Sequence, residues 1–154
     1  ARVLVGNLQR RDGVDRFVQL ALGGVERRLQ SLHQDRVCRL AAGSPLPAWF
    51  KPEAFASVSW SAEEVSITCL ASQVPDDVHC ERDWCCLMMQ GPFAFELTGI
   101  LLNVLQPLAA AGIGIFAVST FDTDYVLVQA HAFADAKRAL PARGLRMSED
   151  KRTS

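Results

Sequence analysis

The chain has 154 residues, 49% hydrophobic and 21% charged, with a net charge of -1. That length suits one domain of ordinary size or two very small ones sharing a core. The near-neutral charge gives no electrostatic reason to expect nucleic acid or an anionic membrane as a partner. Five cysteines, Cys38, Cys69, Cys80, Cys85 and Cys86, come with no legible signal peptide and no apolar run long enough to span a bilayer. A reduced, cytoplasmic protein is expected, with the cysteines acting as small buried apolar residues. Cys85 and Cys86 are neighbours on a strand-like segment and so point to opposite faces, and there is no C-x-x-C pair. No metal and no other cofactor is expected.

Residues 1–34 read as an extension: a strand at Ala1 to Leu8, a basic turn at Gln9 to Gly13, then a helical stripe through Val14, Phe17, Val18, Ala21, Val25, Leu29 and Leu32. The start without Met is expected of a trimmed chain. Strands follow at Arg36 to Leu40, Ala54 to Trp60 and Val65 to Leu70, with a proline-rich turn at Pro45 to Phe50 and a tight polar connection at Ser61 to Glu64. Gln73 to Asp83 holds Pro75 and little periodicity, which makes it a connector between halves.

The second half opens with a strand at Trp84 to Gln90. Phe93 to Ala111 carries the clearest helical signal, because Leu97, Ile100, Leu101, Val104, Leu105 and Leu108 recur at three and four residue intervals. Pro107 should kink its last turn, and Gly112 is a suitable stop. Ile115 to Thr120 and Tyr125 to Gln129 then form a β-hairpin with Phe121-Asp122-Thr123-Asp124 at its tip. A helix at Ala132 to Leu140 with Phe133, Ala136 and Leu140 inward is followed by an edge strand at Leu145 to Met147. Residues 148–154 are expected to be a disordered tail.

The order strand, helix, strand, strand, helix, strand predicts an α+β fold of ferredoxin-like βαββαβ type, an antiparallel sheet with helices on one face. The segments VCRL, SPLPAWF, EEVSITC, GPFAFELTGIL and above all AGIGIFAVSTFDTDYVLV resemble the small tandem ACT-domain proteins, bacterial relatives of the arginine sensor CASTOR. The resemblance covers roughly Asp35 to Arg143. It implies two ACT units side by side, residues 35–79 and 80–147. The first is degenerate, since no helix of normal length fits between Leu40 and Ala54.

A zwitterionic amino acid needs donors for its carboxylate and an acceptor for its ammonium, because burying either charge unpaired is costly. Backbone N–H groups around Gly112, Ile113, Gly114 and Ile115 could supply the first, or these glycines could simply stop a helix. Asp122 and Asp124 could supply the second, or could be turn residues only. The resemblance implies that Asp124 meets a ligand's guanidinium, that Thr120 and Phe121 offer backbone groups, and that Ser66 and Ile67 line the pocket from the first unit.

The chain is thus expected to be a non-catalytic sensor module that holds an amino acid, more readily a cationic one, at an interface between units. It is expected to form a homodimer and to act on a regulated protein that the sequence does not name. A ligand-free dimerisation scaffold is the alternative. For an enzyme the sequence offers no convincing nucleophile with a base, since Ser66 and Ser119 have no His nearby in sequence.

Overall fold

The computed structural model of the chain describes residues 28–91, 99–143 and 145–149. Strand β1 runs Arg28–Ala41, β2 Ser57–Trp60, β3 Glu64–Leu70 and β4 Cys80–Met89. Helix α1 spans Ile100–Ala110, β5 Ile115–Ser119, β6 Asp124–Gln129, α2 Phe133–Ala139 and β7 Arg146–Glu149. The strands form one sheet in the order β2-β3-β1-β4-β6-β5, with β7 parallel against the start of β1. All the other pairings are antiparallel, and the fold is α+β.

Two similar halves meet at the β1–β4 pair. The first half orders its strands β2-β3-β1 and the second β5-β6-β4, so the sheet reads the same from either edge. The seam runs from Leu29 opposite Met89 to Cys38 opposite Cys80, with register shifts on either side of the Gln34 and Asp35 pairs. Asp83, at φ 59°, lies in the left-handed region beside one of these shifts, as a bulged residue does. Each central strand exceeds its own half: the start of β1 flanks the end of β4, and the start of β4 flanks the end of β1. Each half thereby borrows its fourth strand from the other.

The halves differ in what covers them. Val104 and Leu108 of α1, with Ala136 and Leu140, pack on Leu29, Leu87, Met89, Val126 and Val128. In the first half no helix forms between β1 and β2; instead Trp49 and Phe50 pack against Cys38, Val65, Ile67 and Cys69. Proline at positions 45, 47 and 52 removes backbone donors there and forbids a regular helix. A third cluster lies on the opposite face of the second half, where Phe55 meets Cys86 and Leu127 and stacks on Tyr125 with ring centroids 3.9 Å apart.

Several sequence-based boundaries change. Residues 28–34 belong to β1 and not to a helical extension: Leu29 is fully buried beneath α1, and cross-strand pairing with β4 overrides the helical spacing. β4 starts at Cys80, inside the expected connector, and β2 starts only at Ser57, after Ala54 at φ 52°. α1 continues past Pro107 to Ala110. Ser148 and Glu149, expected in a disordered tail, extend β7. The strand and most of the helix expected in residues 1–27, the start of the Phe93 helix, and residues 150–154 lie outside the described residues.

Leu108 is fully buried whereas Leu101 is only partly so. Leu108→Ala should therefore cost about 2–5 kcal/mol in urea unfolding, and Leu101→Ala clearly less; equal losses would contradict this orientation of α1.

Candidate functional site

The acidic tip is built by a turn that occurs twice in the chain. The Thr120 N–H donates to the Thr123 carbonyl at 2.8 Å, and its hydroxyl donates to the same carbonyl and accepts from the Thr123 N–H at 3.4 Å. In the first half Ser61 makes the same three bonds with Glu64, at 2.9, 3.3 and 3.1 Å. The flanking pairs also correspond, Ser119 opposite Asp124 and Trp60 opposite Val65. One difference stands out. Where the second half has the half-buried carboxylate of Asp124, the first has fully buried Val65.

Asp124 begins β6, two residues before Val126 and four before Val128, both of which face α1 and α2. Strand alternation puts Asp124 on that same face, at the end of the sheet. Its Oδ1 accepts from the Ser119 hydroxyl at 2.5 Å, and the ion pairs found among the described residues do not involve Asp122 or Asp124. At the first-half tip Glu64 pairs with Arg39 instead. The Thr123 hydroxyl donates to the Met89 carbonyl, tying the hairpin tip to the end of β4.

α1 leads the chain from the end of β4 back to the start of β5, so its N-terminus lies toward the end of the sheet that carries the tip. Gly99, at φ 79°, is the N-cap, and no side chain among the described residues caps the helix. First-turn N–H groups have no partner within a helix and carry the positive end of its dipole. A carboxylate and a cation could thus be met at one end of the sheet, by the start of α1 and by Asp124. Sequence reasoning missed Gly99 and Ile100; the Thr98-Gly99-Ile100 step opening an apolar stripe is the signal that could have pointed there.

The other expected contacts fall elsewhere. Gly112, at φ 71°, ends α1: its N–H bonds the Ala109 carbonyl at 3.0 Å and the Ile113 N–H bonds Leu108 at 2.9 Å. These are the two bonds of a Schellman cap, so the expectation that both groups donate to a ligand is corrected. Ile113 is buried in the core, Gly114 is exposed and Ile115 half-buried. β5 separates this segment from Thr120, Phe121 and Asp122, all exposed, by about 13 Å along the strand. A single amino acid cannot span that within one protomer. Ile67 is sealed in the first-half core and cannot line an open pocket there. Ser66 sits level with His79, beside Arg39, so it lies roughly 30 Å along the strands from Asp124.

Burial pushes the Tyr125 hydroxyl up. Burial and then the neighbouring Asp35 carboxylate, which accepts from the thiol, do the same to Cys86. Both are therefore neutral at ordinary pH, and Tyr125 lies on the face opposite Asp124.

Residues 79–142 match the ACT domain family model, and residues 36–77 match a model describing an N-terminal domain. The protein Atu0741 from Agobacterium tumefaciens is 36% identical, with a TM-score of 0.78 over 85% of this chain and 98% of that one. VC0802 from Vibrio cholerae is 15% identical, with a TM-score of 0.65 over 85% of this chain and 98% of its own. A putative C-terminal regulatory domain of aspartate kinase from Porphyromonas gingivalis is 19% identical, with a TM-score of 0.52 over 76% and 96%. No curated protein matches the chain. Among the described residues no helix is long and apolar enough to cross a membrane, and no group of three or more His, Cys, Asp or Glu could hold a metal ion.

The shared turn gives a direct check. Thr120→Ala and Ser61→Ala each remove a hydroxyl that both donates and accepts, and each should cost about 1 kcal/mol in equilibrium unfolding. A loss at one tip alone would show that the two turns are not equivalent.

Proposed function

Because the chain belongs to the family of ACT-domain proteins, we propose that it is a non-catalytic regulatory module that binds an amino acid at the acidic tip of its second half. The supporting observation is the asymmetry of the two tips. They share one turn, yet only the second sets a half-buried carboxylate on the helix-covered face, with a hydroxyl as its partner. In the first half Val65 takes that position and Arg39 neutralises the nearby Glu64. A carboxylate so placed gains from a cationic guest through charge-assisted hydrogen bonds, and the start of α1, which no side chain among the described residues caps, suits the guest's carboxylate. Phe121, 78% exposed, can close over a ligand cation with its ring.

This reading favours a ligand such as arginine, in keeping with the likeness to the arginine sensor, and one ligand per chain. Contacts from Gly114 or Ser66 would have to come from a second copy, which makes a homodimer part of the proposal. The regulated partner is a protein acted on by that dimer.

A thermal-shift screen of the twenty amino acids should find a stabilising ligand among the cationic ones, with about 2.7 kcal/mol gained at 100 times the dissociation constant. Calorimetry should then give one site per chain, and Asp124→Asn should weaken binding by about 1.5–3 kcal/mol while leaving ligand-free stability nearly unchanged. Two sites per chain, or unchanged affinity in Asp124→Asn, would overturn the assignment. No ligand at all, together with melting that rises with protein concentration, would favour a ligand-free scaffold. Sedimentation should show a dimer at tens of micromolar; a monomer throughout would remove the second-copy contacts.

A further inference from the structure

Three of the five cysteines converge in the core of the first half, at the inner edge of the seam. Cys38 of β1 stands directly opposite Cys80 of β4, while Cys69 of β3 stands opposite Arg36, two positions from Cys38 and on its face of the sheet. All three belong to one packed cluster in which Cys38 and Cys69 are buried and Cys80 is half-buried. The Cys38 thiol stands between the other two: it donates to Cys69 and accepts from Cys80. Arg36, whose Nη1 donates to the Val74 carbonyl at 2.6 Å and whose Nη2 lies 3.6 Å from Asp76, stands beside the trio.

The ladder type decides which pair can close. The Arg39 N–H donates to the His79 carbonyl at 3.0 Å, which makes Arg39 and His79 the hydrogen-bonded pair and Cys38 and Cys80 the adjacent non-hydrogen-bonded one. Such partners have Cα atoms about 4.5 Å apart, inside the range of about 4.4–6.8 Å that a disulfide accepts. Cys38 and Cys69 are diagonal neighbours, for which about 7–8 Å is usual, too far without backbone movement. Cys85 and Cys86 point to opposite faces of β4 and join different clusters.

We propose that Cys38 and Cys80 form a reversible cross-strand disulfide, making the seam between the two halves a redox-sensitive modification site. The oxidant is a small disulfide such as oxidised glutathione. Half-buried Cys80 meets it first: the Cys80 sulfur attacks one glutathione sulfur, the glutathione disulfide breaks, and one glutathione thiolate leaves. The Cys38 sulfur then attacks the Cys80 sulfur, the protein disulfide forms and a second glutathione thiolate leaves. The protons of the two cysteines end on the two glutathiones, so two protein thiols are oxidised as one glutathione disulfide is reduced. Cys69 is held as the most acidic of the three, chiefly because the Cys38 thiol donates to it and also because Arg36 is close. Reduced glutathione reverses the link by the same two exchanges run backward: its sulfur attacks Cys80 and frees the Cys38 thiol, and a second glutathione then takes the first from Cys80 as glutathione disulfide.

The test equilibrates the full chain in reduced and oxidised glutathione mixtures, blocks free thiols with a maleimide and maps non-reduced peptides. An intrachain Cys38–Cys80 link is expected, reversed by reduced glutathione, lost in Cys80→Ser and retained in Cys85→Ser. The oxidised form should also melt above the reduced form, with the difference abolished in Cys80→Ser. A link involving a different pair, a link only between chains, or five maleimide-reactive thiols on unfolding after the most oxidising mixture would each overturn the proposal.

Discussion

The antiparallel pairing of β1 with β4 is the contact on which the rest of the molecule depends. Each half extends its sheet with the overhanging end of the other's central strand. The seam carries a buried carboxylate, Asp35, directly opposite Trp84, and fully buried Leu29 opposite Met89. Ordering a pair so far apart in sequence costs loop entropy before any contact rewards it. The reward is that both hydrophobic faces can form at once, one under α1 and α2, the other under Trp49 and Phe50.

The matching strand order of the two halves puts two hairpin tips at opposite ends of the sheet, and charge distinguishes them. Arg39 neutralises the first, whereas the second keeps its carboxylate beside a neutral hydroxyl. The same backbone turn thus ends beside an ion pair in one place and beside a carboxylate that accepts from a hydroxyl in the other. A turn motif alone could not separate these outcomes. The residue that follows the turn, Val65 or Asp124, does so, because alternation sends it to the covered face in both halves, beneath Trp49 and Phe50 in the first and on the side of α1 and α2 in the second.

Much of the fold was legible in local pattern. The stripe of Val104 and Leu108, the hairpin from Ile115 to Gln129, and the missing helix between Leu40 and Ala54 follow from periodicity, β-branched composition and proline. The length of β1 was not legible, because Leu29 and Leu32 also fit a helical stripe and only the partner strand decides between the two. The candidate site was half legible. Asp124 could be read from its place in the tip, but Gly112 offered a glycine whose left-handed φ satisfies a helix cap as readily as a ligand. Hydrogen-bond partners decide between those uses, and the sequence does not print them.

β7, the last strand among the described residues, takes an unexpected place. It follows the second half in sequence but lies parallel to β1, across the seam from β4. The stretch matching the ACT domain model, residues 79–142, therefore begins beside one end of β1 and stops short of the strand that clasps the other end. Sequence modules and mechanical units do not coincide here. A cut at the module boundary would leave two interlaced pieces, each missing an edge that only the other can supply.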